Sequence, residues 1–214
     1  MLEKTTANHR PAAVAPAGAA ALVLASTSRY RRMLLERLGL PFVALPPSVD
    51  ERPLPGEKPR ATALRLAEAK ARSVAARCPG ALVIGSDQVA DCEGRAVGKP
   101  GHHEAAFAML TALSGKTVVF HTGLALLDAA SGRCTTAMVD VRSTFRRLSA
   151  AEIGAYLARE QPYDCAGAVR SEALGIALFE SIESDDPTAL IGLPLIRLVS
   201  MLREAGVPVL ALPV

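Results

Sequence analysis

The run Ala81-Leu82-Val83-Ile84-Gly85 is apolar at every position. An unbroken apolar run of this length is typical of a β-strand that is buried on both faces of its sheet. Strand and helix patterns alternate along the rest of the chain, which predicts an α/β fold with a mixed sheet flanked by helices. The polar triplet Ser86-Asp87-Gln88 follows the run, so we expect the strand to end there, with the Asp87 carboxylate at the carboxyl edge of the sheet.

Apolar periodicity, capping residues and turn residues place the other elements. Strands are expected at about 21–25, 42–45, 117–127, 135–145 and 176–180, and helices at about 29–39, 60–77, 102–113, 150–159 and 194–205. Ser149 and Glu152 form a capping box for the fourth helix. Cys92-Glu93-Gly94 has the composition of a hairpin turn. We find no internal repeat, and the order of elements predicts a single domain.

Composition and charge argue against several classes of function. The chain has 214 residues, half of them apolar, and its net charge of +3 is too mild to indicate a nucleic-acid partner. Its four cysteines lie far apart, so neither zinc ligation nor a disulfide framework is expected. No stretch is long and apolar enough to span a membrane. We therefore expect a cytoplasmic protein.

The N-terminal residues 1–19 differ in composition from the rest of the chain. The run from Pro11 to Ala21 is rich in Ala, Pro and Gly, and the only strongly hydrophobic run nearby, Leu22-Val23-Leu24, is too short for the core of a signal peptide. We interpret residues 1–19 as a disordered extension and residues 20–214 as the folded domain.

The segment 22–32 combines an apolar strand, the turn Ser26-Thr27-Ser28 and the start of a helix, Arg29-Tyr30-Arg31-Arg32. Hydroxyl groups, free backbone N–H groups and guanidinium groups would then meet at the positive end of a helix dipole. That combination suits a polyphosphate. The alternative is a helix capped by Ser26 or Ser28, with its arginines in solvent.

Further charged residues fall on strand ends and loops, where α/β sheets bind their ligands. Glu51 lies in a Pro-rich loop, Lys70 on a predicted helix face, and Lys99 in a Gly-Lys-Pro turn. Taken singly, each of these residues is more often a solvated charge than part of a site. Asp87 is the exception, because a lone carboxylate at the end of an apolar strand has few structural uses.

Eight short motifs occur in order over residues 20–206. They are Ala25-Ser26-Thr27-Ser28 with Arg31 and Leu34-Leu35, Val49-Asp50-Glu51, Leu66-Ala67-Glu68-Ala69-Lys70-Ala71, Gly85-Ser86-Asp87-Gln88, Gly98-Lys99-Pro100, Leu113-Ser114-Gly115-Lys116, Ala166-Gly167-Ala168 and Gly192-Leu193-Pro194-Leu195. In this combination the chain resembles the Maf family of nucleoside triphosphate pyrophosphatases.

The resemblance implies an inosine-triphosphatase-like fold, a single elongated domain with an active-site cleft, and cleavage between the α- and β-phosphates of a nucleotide. It also implies a divalent metal ion, Mg²⁺ or Mn²⁺. By motif, Asp87 is expected to be the proton acceptor or a metal ligand, and Glu51 a second acidic partner of metal or water. The residues expected to bind the triphosphate are Ser26, Arg31, Lys70 and Lys99. A homodimer is left open.

Three positions bear on base specificity. Many family members have Ser-Pro-Arg-Arg where this chain has Ser28-Arg29-Tyr30-Arg31, so an aromatic residue replaces the first arginine. Together with Gln88 and Glu172, Tyr30 resembles the family branch assigned to 7-methyl-GTP, although that branch more usually has Trp at this position. N7 methylation makes guanine cationic, which favours an aromatic face and a carboxylate.

Simpler interpretations stay open for these specificity residues: Tyr30 could be a surface aromatic residue and Glu172 a solvated acid. Two other functions are considered, a dTTP/UTP pyrophosphatase and a non-catalytic regulator of septum formation. The three specificity residues disfavour the first, and the presence of Asp87, Lys70 and Lys99 argues against the second.

Overall fold

The computed structural model describes residues 21–210, and the disordered extension expected at 1–19 lies outside this range. Its strands are β1 Leu22–Ala25, β2 Phe42–Leu45, β3 Leu82–Cys92, β4 Arg95–Val97, β5 Thr117–Asp128, β6 Cys134–Phe145 and β7 Phe179–Glu183. Its helices are α1 Arg29–Glu36, α2 Pro59–Ala75, α3 His103–Leu113, α4 Ala150–Glu160 and α5 Leu195–Glu204. Short 3-10 turns occupy Ala166–Ala168, Leu174–Leu178 and Ala189–Ile191.

The seven strands form one mixed sheet in the order β2-β1-β3-β5-β6-β7, with β4 paired to the end of β3. β1 runs parallel to β2 and β3, whereas β5, β6 and β7 continue the sheet in antiparallel pairs. The predicted α/β class with a mixed sheet and flanking helices is therefore confirmed. The capping box at Ser149 and Glu152 is also present. Among residues 21–210, no helix is both long and apolar enough to cross a membrane.

The prediction that the buried strand ends at Ser86-Asp87-Gln88 is wrong. β3 continues through these residues to Cys92, and Asp87 lies in the middle of the strand. The physical reason is the antiparallel partner β5, which pairs with β3 over residues 82–91 and satisfies its backbone hydrogen-bonding groups. Long-range pairing of this kind overrides the local change from apolar to polar residues.

An opening in the sheet nevertheless lies beside Asp87. The pairing of β1 with β3 ends at Leu24 and Ile84, and β4 pairs only with residues 90–92 of β3. Within residues 21–210, the intervening part of β3 therefore has no strand on that side. The loop that follows β1 begins with Ser26 at this opening.

The last strand begins at Phe179 rather than at residue 176. The preceding residues form a 3-10 turn, in which the N–H of Gly175 donates to Arg170 O at 3.0 Å. A Cβ at Gly175 would overlap the backbone of Arg170, so this tight turn requires glycine. Because residues up to Leu178 belong to this turn, strand β7 begins three residues later than predicted.

Helix α2 lies very close to the sheet because two strand residues opposite it are glycines. A Cβ at Gly85 would overlap Ala67 O, and a Cβ at Gly123 would overlap Ala63 O. Small residues at this contact allow the helix backbone to approach the strands directly. The close approach brings Lys70, on α2, against Asp87, on β3.

Candidate active site

A cleft of about 700 Å³ lies at the opening beside β3. Every residue that the sequence singled out lines it: Ser26, Tyr30, Arg31, Glu51, Lys70, Asp87, Gln88, Lys99 and Glu172. These residues come from six separate parts of the chain, so the fold brings together the groups that the sequence predicted. Their individual roles stay predictions.

The ammonium group of Lys70 lies between two carboxylates. Its Nζ is 2.6 Å from Asp87 Oδ1 and 2.7 Å from Glu51 Oε1. Lys70 is only 5% exposed and Asp87 only 8% exposed, whereas most of the Glu51 side chain faces solvent. Because burial of an unpaired charge is costly, pairing of these two buried groups offsets the cost of burying each of them.

The pKa of Glu51 reflects competing effects. Partial burial raises it, but the hydrogen bond and the charge of Lys70 lower it more, and the charges of Lys99 and Arg31 act in the same direction. The net pKa of Glu51 lies below the usual value for a glutamate. The carboxylate therefore stays ionised near neutral pH, as binding of a cation requires.

Arg31 reaches the cleft from the first turns of α1. The helix begins after Ser28, whose Oγ accepts from Arg31 N at 3.4 Å, and Ser26 Oγ accepts from Ser28 N at 3.1 Å. The Arg31 Nε donates to Gly192 O at 2.8 Å. Burial lowers the pKa of Arg31, while the charges of Asp87 and Glu51 oppose that shift. The four hydrogens on the Nη atoms of Arg31 lie in the plane of the guanidinium group, a geometry that suits hydrogen bonds to phosphate oxygens.

Three further residues that line the cleft, Tyr30, Glu172 and Gln88, are the candidates for base specificity. The Tyr30 hydroxyl accepts from Arg29 Nη2 at 2.6 Å, and the Arg29 guanidinium carbon lies 4.7 Å from the centre of the Tyr30 ring. One face of the ring thus already contacts a cation. Glu172 is exposed in the turn before the Leu174–Leu178 3-10 segment. Gln88, by contrast, uses its side-chain amide to bind backbone carbonyl groups.

The Pro-rich loop that carries Glu51 is held by a contact that sequence reasoning missed. Arg65, on α2, donates through Nε and Nη2 to the two carboxylate oxygens of Glu57, at 2.6 and 2.7 Å. Its Nη2 also donates to Arg52 O, next to Glu51, at 3.2 Å. The bond from Arg65 lowers the pKa of Glu57 to about 2, helped by bonds from Leu54 N and Thr62 Oγ1. No sequence motif pointed to this pair.

The chemistry of the acidic groups in the cleft fits a divalent metal ion. In the described part of the chain, no group of three or more His, Cys, Asp or Glu residues is arranged to hold a metal ion. Asp87 and Glu51 offer two carboxylate groups that both contact Lys70 Nζ, and carboxylate oxygens are the hard donors that Mg²⁺ prefers. Mg²⁺ commonly takes one or two protein carboxylates and completes its coordination with phosphate oxygens and water.

Fold and cleft together define an α/β protein with a polar, ligand-sized site that combines cationic and carboxylate groups. A profile of the Maf-like protein family matches residues 21–205, and the chain belongs to this family. A relative from a Polaromonas species is 59% identical over 190 residues, which are 89% of this chain and 87% of the relative. A second, from Burkholderia thailandensis, is 58% identical over 195 residues, 90% of this chain and 91% of the relative.

A third relative, from Cupriavidus metallidurans, is 56% identical over 188 residues, which are 88% of this chain and 94% of the relative. All three relatives are named 7-methyl-GTP pyrophosphatase. The match to the family and to these relatives confirms the resemblance drawn from the eight motifs.

Proposed function

We propose that this protein is a nucleoside triphosphate pyrophosphatase that hydrolyses 7-methyl-GTP to the monophosphate and diphosphate. The observation that carries the proposal is the convergence of Lys70, Asp87 and Glu51 with Arg31 and Lys99 in one cleft. The names of relatives that are 56–59% identical over about nine-tenths of the chain support the same substrate.

The cationic residues bind the triphosphate. Arg31 presents its Nη hydrogens to phosphate oxygens, Lys99 contributes a second charge from the loop after β4, and Ser26 contributes a hydroxyl group near the start of α1. These charges offset the negative charge that develops on the departing diphosphate. Lys70 adds a buried positive charge next to the reacting phosphate.

Asp87 activates the attacking water. Its Oδ1 accepts from Lys70, which leaves Oδ2 to accept a proton from a water molecule. The water oxygen forms a bond to the α-phosphorus, and the bond from this phosphorus to the oxygen that bridges to the β-phosphate breaks. The bridging oxygen leaves with the diphosphate, and the proton of the water passes to Asp87.

The residues that would hold Mg²⁺ or Mn²⁺ are Glu51 and, as the alternative to its role as base, Asp87. Such an ion would supply Lewis-acid polarisation of phosphate oxygens and neutralise their charge. Lys70 keeps both carboxylates close together before substrate arrives.

Tyr30 and Glu172 recognise the base. The aromatic ring stacks on the cationic 7-methylguanine, with a contribution of roughly 0.5–2 kcal/mol. The Glu172 carboxylate accepts hydrogens from N1 and N2 of the base. A pyrimidine offers neither the positive charge nor this pair of donors, so dTTP and UTP should be poor substrates.

The four cysteines of the described chain are free thiols, which fits the cytoplasm, where we place the activity. We keep a homodimer as a proposal, which light scattering coupled to size exclusion would test.

The proposed function is tested by measuring diphosphate release from 7-methyl-GTP, GTP, UTP and dTTP, with and without Mg²⁺ or Mn²⁺. We expect the highest kcat/KM for 7-methyl-GTP and no turnover after chelation of the metal. A preference for UTP or dTTP would contradict the substrate assignment. Absence of diphosphate from every nucleotide would contradict the enzymatic function and favour a regulator of septum formation.

A further inference from the structure

Backbone segment 189–192 is bound to the sheet by three polar side chains of β3 and β5. Gln88 Nε2 donates to Ala189 O at 2.8 Å and to Leu190 O at 3.1 Å. Thr122 Oγ1 donates to Ala189 O at 2.9 Å, and Ser86 Oγ lies 2.9 Å from Gly192 O. Ser86 and Thr122 are fully buried, so these bonds are shielded from competing water.

The Gly192 carbonyl joins this segment to the cleft. It accepts from the Arg31 Nε at 2.8 Å and shares the single Ser86 hydroxyl hydrogen with Gly123 O, since both carbonyl oxygens lie 2.9 Å from Ser86 Oγ. Gly192 has a φ of +115°, a conformation that other residues rarely adopt, and a Cβ here would lie 3.5 Å from the Arg31 Nε. The carbonyl direction, and with it the plane of the guanidinium group, depends on where the segment lies.

The orientation of the Gln88 amide follows from its partners. Ala189 O and Leu190 O only accept hydrogen bonds, so the atom that contacts them must be the nitrogen. Thr122 Oγ1 is also within 3.0 Å of this nitrogen. With its two hydrogens directed at protein acceptors, the amide has only its oxygen left for a ligand. This is a poor arrangement for a residue that distinguishes bases by donating hydrogen bonds.

We propose that Gln88 is a positioning residue which, with Ser86 and Thr122, holds segment 189–192 so that the Gly192 carbonyl orients Arg31 toward the triphosphate. This role rests on the proposed function, because it assumes that Arg31 binds phosphate. It replaces the expectation that Gln88 selects the base. Gln88 then affects all nucleotides alike, since every one carries the same triphosphate.

The remainder of the loop is anchored independently of Gln88. The buried Asp186 accepts from Thr188 N and Oγ1 through Oδ1, and from Ile196 N and Arg197 N at the start of α5 through Oδ2. A change at Gln88 should therefore move segment 189–192 without releasing α5. The effect is expected to be local.

The test is Gln88→Glu, which keeps the shape of the side chain but cannot donate to the two carbonyls when ionised. We expect kcat/KM to fall by the same factor, up to about 10²-fold, for 7-methyl-GTP, GTP and UTP, because Arg31 is displaced. Adding Gln88→Glu to Arg31→Ala should cause little further loss, since both changes remove the same interaction. Gln161→Glu, at an exposed helix end, is the matched control and should leave kcat/KM unchanged.

A binding measurement separates this proposal from the function on which it rests. Calorimetry with inorganic tripolyphosphate should show binding to the wild type and weaker binding to Gln88→Glu, whichever nucleotide is hydrolysed. If Gln88→Glu does not fold, Ser86→Ala applies the same test with a smaller loss. A change in the ratio of kcat/KM for 7-methyl-GTP and UTP, or full additivity with Arg31→Ala, would overturn the proposal. If the wild type releases diphosphate from none of the nucleotides, the proposed function is overturned instead.

Discussion

Lys70 is the residue through which the charges of the cleft are coupled. Its single ammonium group contacts both Asp87 and Glu51, although only the first of these carboxylates is buried. A buried ion pair contributes little net stability, but removal of one partner leaves an uncompensated charge. Substitutions at this cluster therefore need a stability measurement beside every rate.

The first residue-scale prediction concerns Asp87→Asn. The change keeps the shape of the side chain and removes its ability to accept a proton or hold a cation, so kcat should fall by about 10²–10⁴. Asp50→Asn is the matched control, because Asp50 pairs with Arg52 on the surface close to Glu51 in sequence. The measurements are the steady-state kcat, which tests the catalytic role, and the melting temperature, which shows that each variant is folded. A folded Asp87→Asn protein with a near-normal kcat would exclude the catalytic role.

A second residue-scale prediction concerns base selection by Tyr30 and Glu172. Tyr30→Ala removes the stacking face, and Glu172→Ala leaves the guanine donors unpaired at a cost of about 1–3 kcal/mol. Both variants should lose far more activity on 7-methyl-GTP than on UTP. Tyr30→Phe removes only the hydroxyl group that accepts from Arg29, so it should retain the preference. The ratio of the two kcat/KM values is the measurement, and a ratio that neither alanine variant changes would refute base recognition by these residues.

At the scale of elements, the position of Glu51 depends on contacts between its loop and helix α2. The loop that carries Glu51 has no regular structure, and the Arg65–Glu57 pair attaches it to α2. Arg65 is thus a positioning residue for Glu51, even though it contributes no ligand of its own. This partly buried pair matters for the site because of the backbone that it holds.

This attachment predicts a pH dependence. The hydrogen bond from Arg65 lowers the pKa of Glu57 from 4.5 to about 2, so the stabilisation is fully present above pH 4.5. It is lost as the pH falls toward 2, where the folded form also becomes protonated. Glu57→Gln should therefore melt at a lower temperature than the wild type near neutral pH, and the difference should shrink on acidification between these values.

The control for this experiment is Glu68→Gln, which removes a surface pair between Glu68 and Arg72 within α2. Pairs of this kind contribute only about 0.3–0.5 kcal/mol, so its melting temperature should stay close to that of the wild type. The Glu57 variant should also have a reduced kcat, because Glu51 is less well placed. An unchanged melting difference between pH 6 and pH 2 would contradict the assigned pKa shift.

At the scale of the whole molecule, the distance between α2 and the sheet determines whether Lys70 can reach Asp87. Gly85→Ala would push a methyl group into the helix backbone at Ala67, which should cost about 1–3 kcal/mol in the free energy of unfolding. Displacement of the helix should also lower kcat. Gly154→Ala is the control: the site in α4 is open, and removing a helical glycine should stabilise by about 0.5–1 kcal/mol.

Urea denaturation of both glycine variants gives the free energies, and turnover of 7-methyl-GTP gives the rates. Gly85→Ala should lose stability and activity together, whereas Gly154→Ala should lose neither. Equal behaviour of the two variants would mean that the helix–sheet contact does not control the site.

The sequence by itself determined most of the elements and named nine residues of the cleft. Apolar runs, the Ser149 capping box and the turn at Cys92-Glu93-Gly94 act between neighbours, so they can be recognised along the chain. The motifs, together with Tyr30 and Glu172, named residues that all line one cleft in the structure. What local patterns could not indicate was the length of β3, because its continuation depends on a partner strand more than thirty residues away.

Only the tertiary structure decided how the site residues interact. Lys70 contacts Asp87 because two glycines allow α2 to pack directly against the sheet. Arg31 binds the carbonyl of Gly192, which lies 161 residues further along the chain. Gln88 turned out to bind segment 189–192, and Arg65 to hold the Glu51 loop. Sequence patterns describe which faces are buried, whereas the partner of each polar group depends on packing between distant segments. The physical reason is that a buried donor must find an acceptor in the folded chain, wherever in the sequence that acceptor lies.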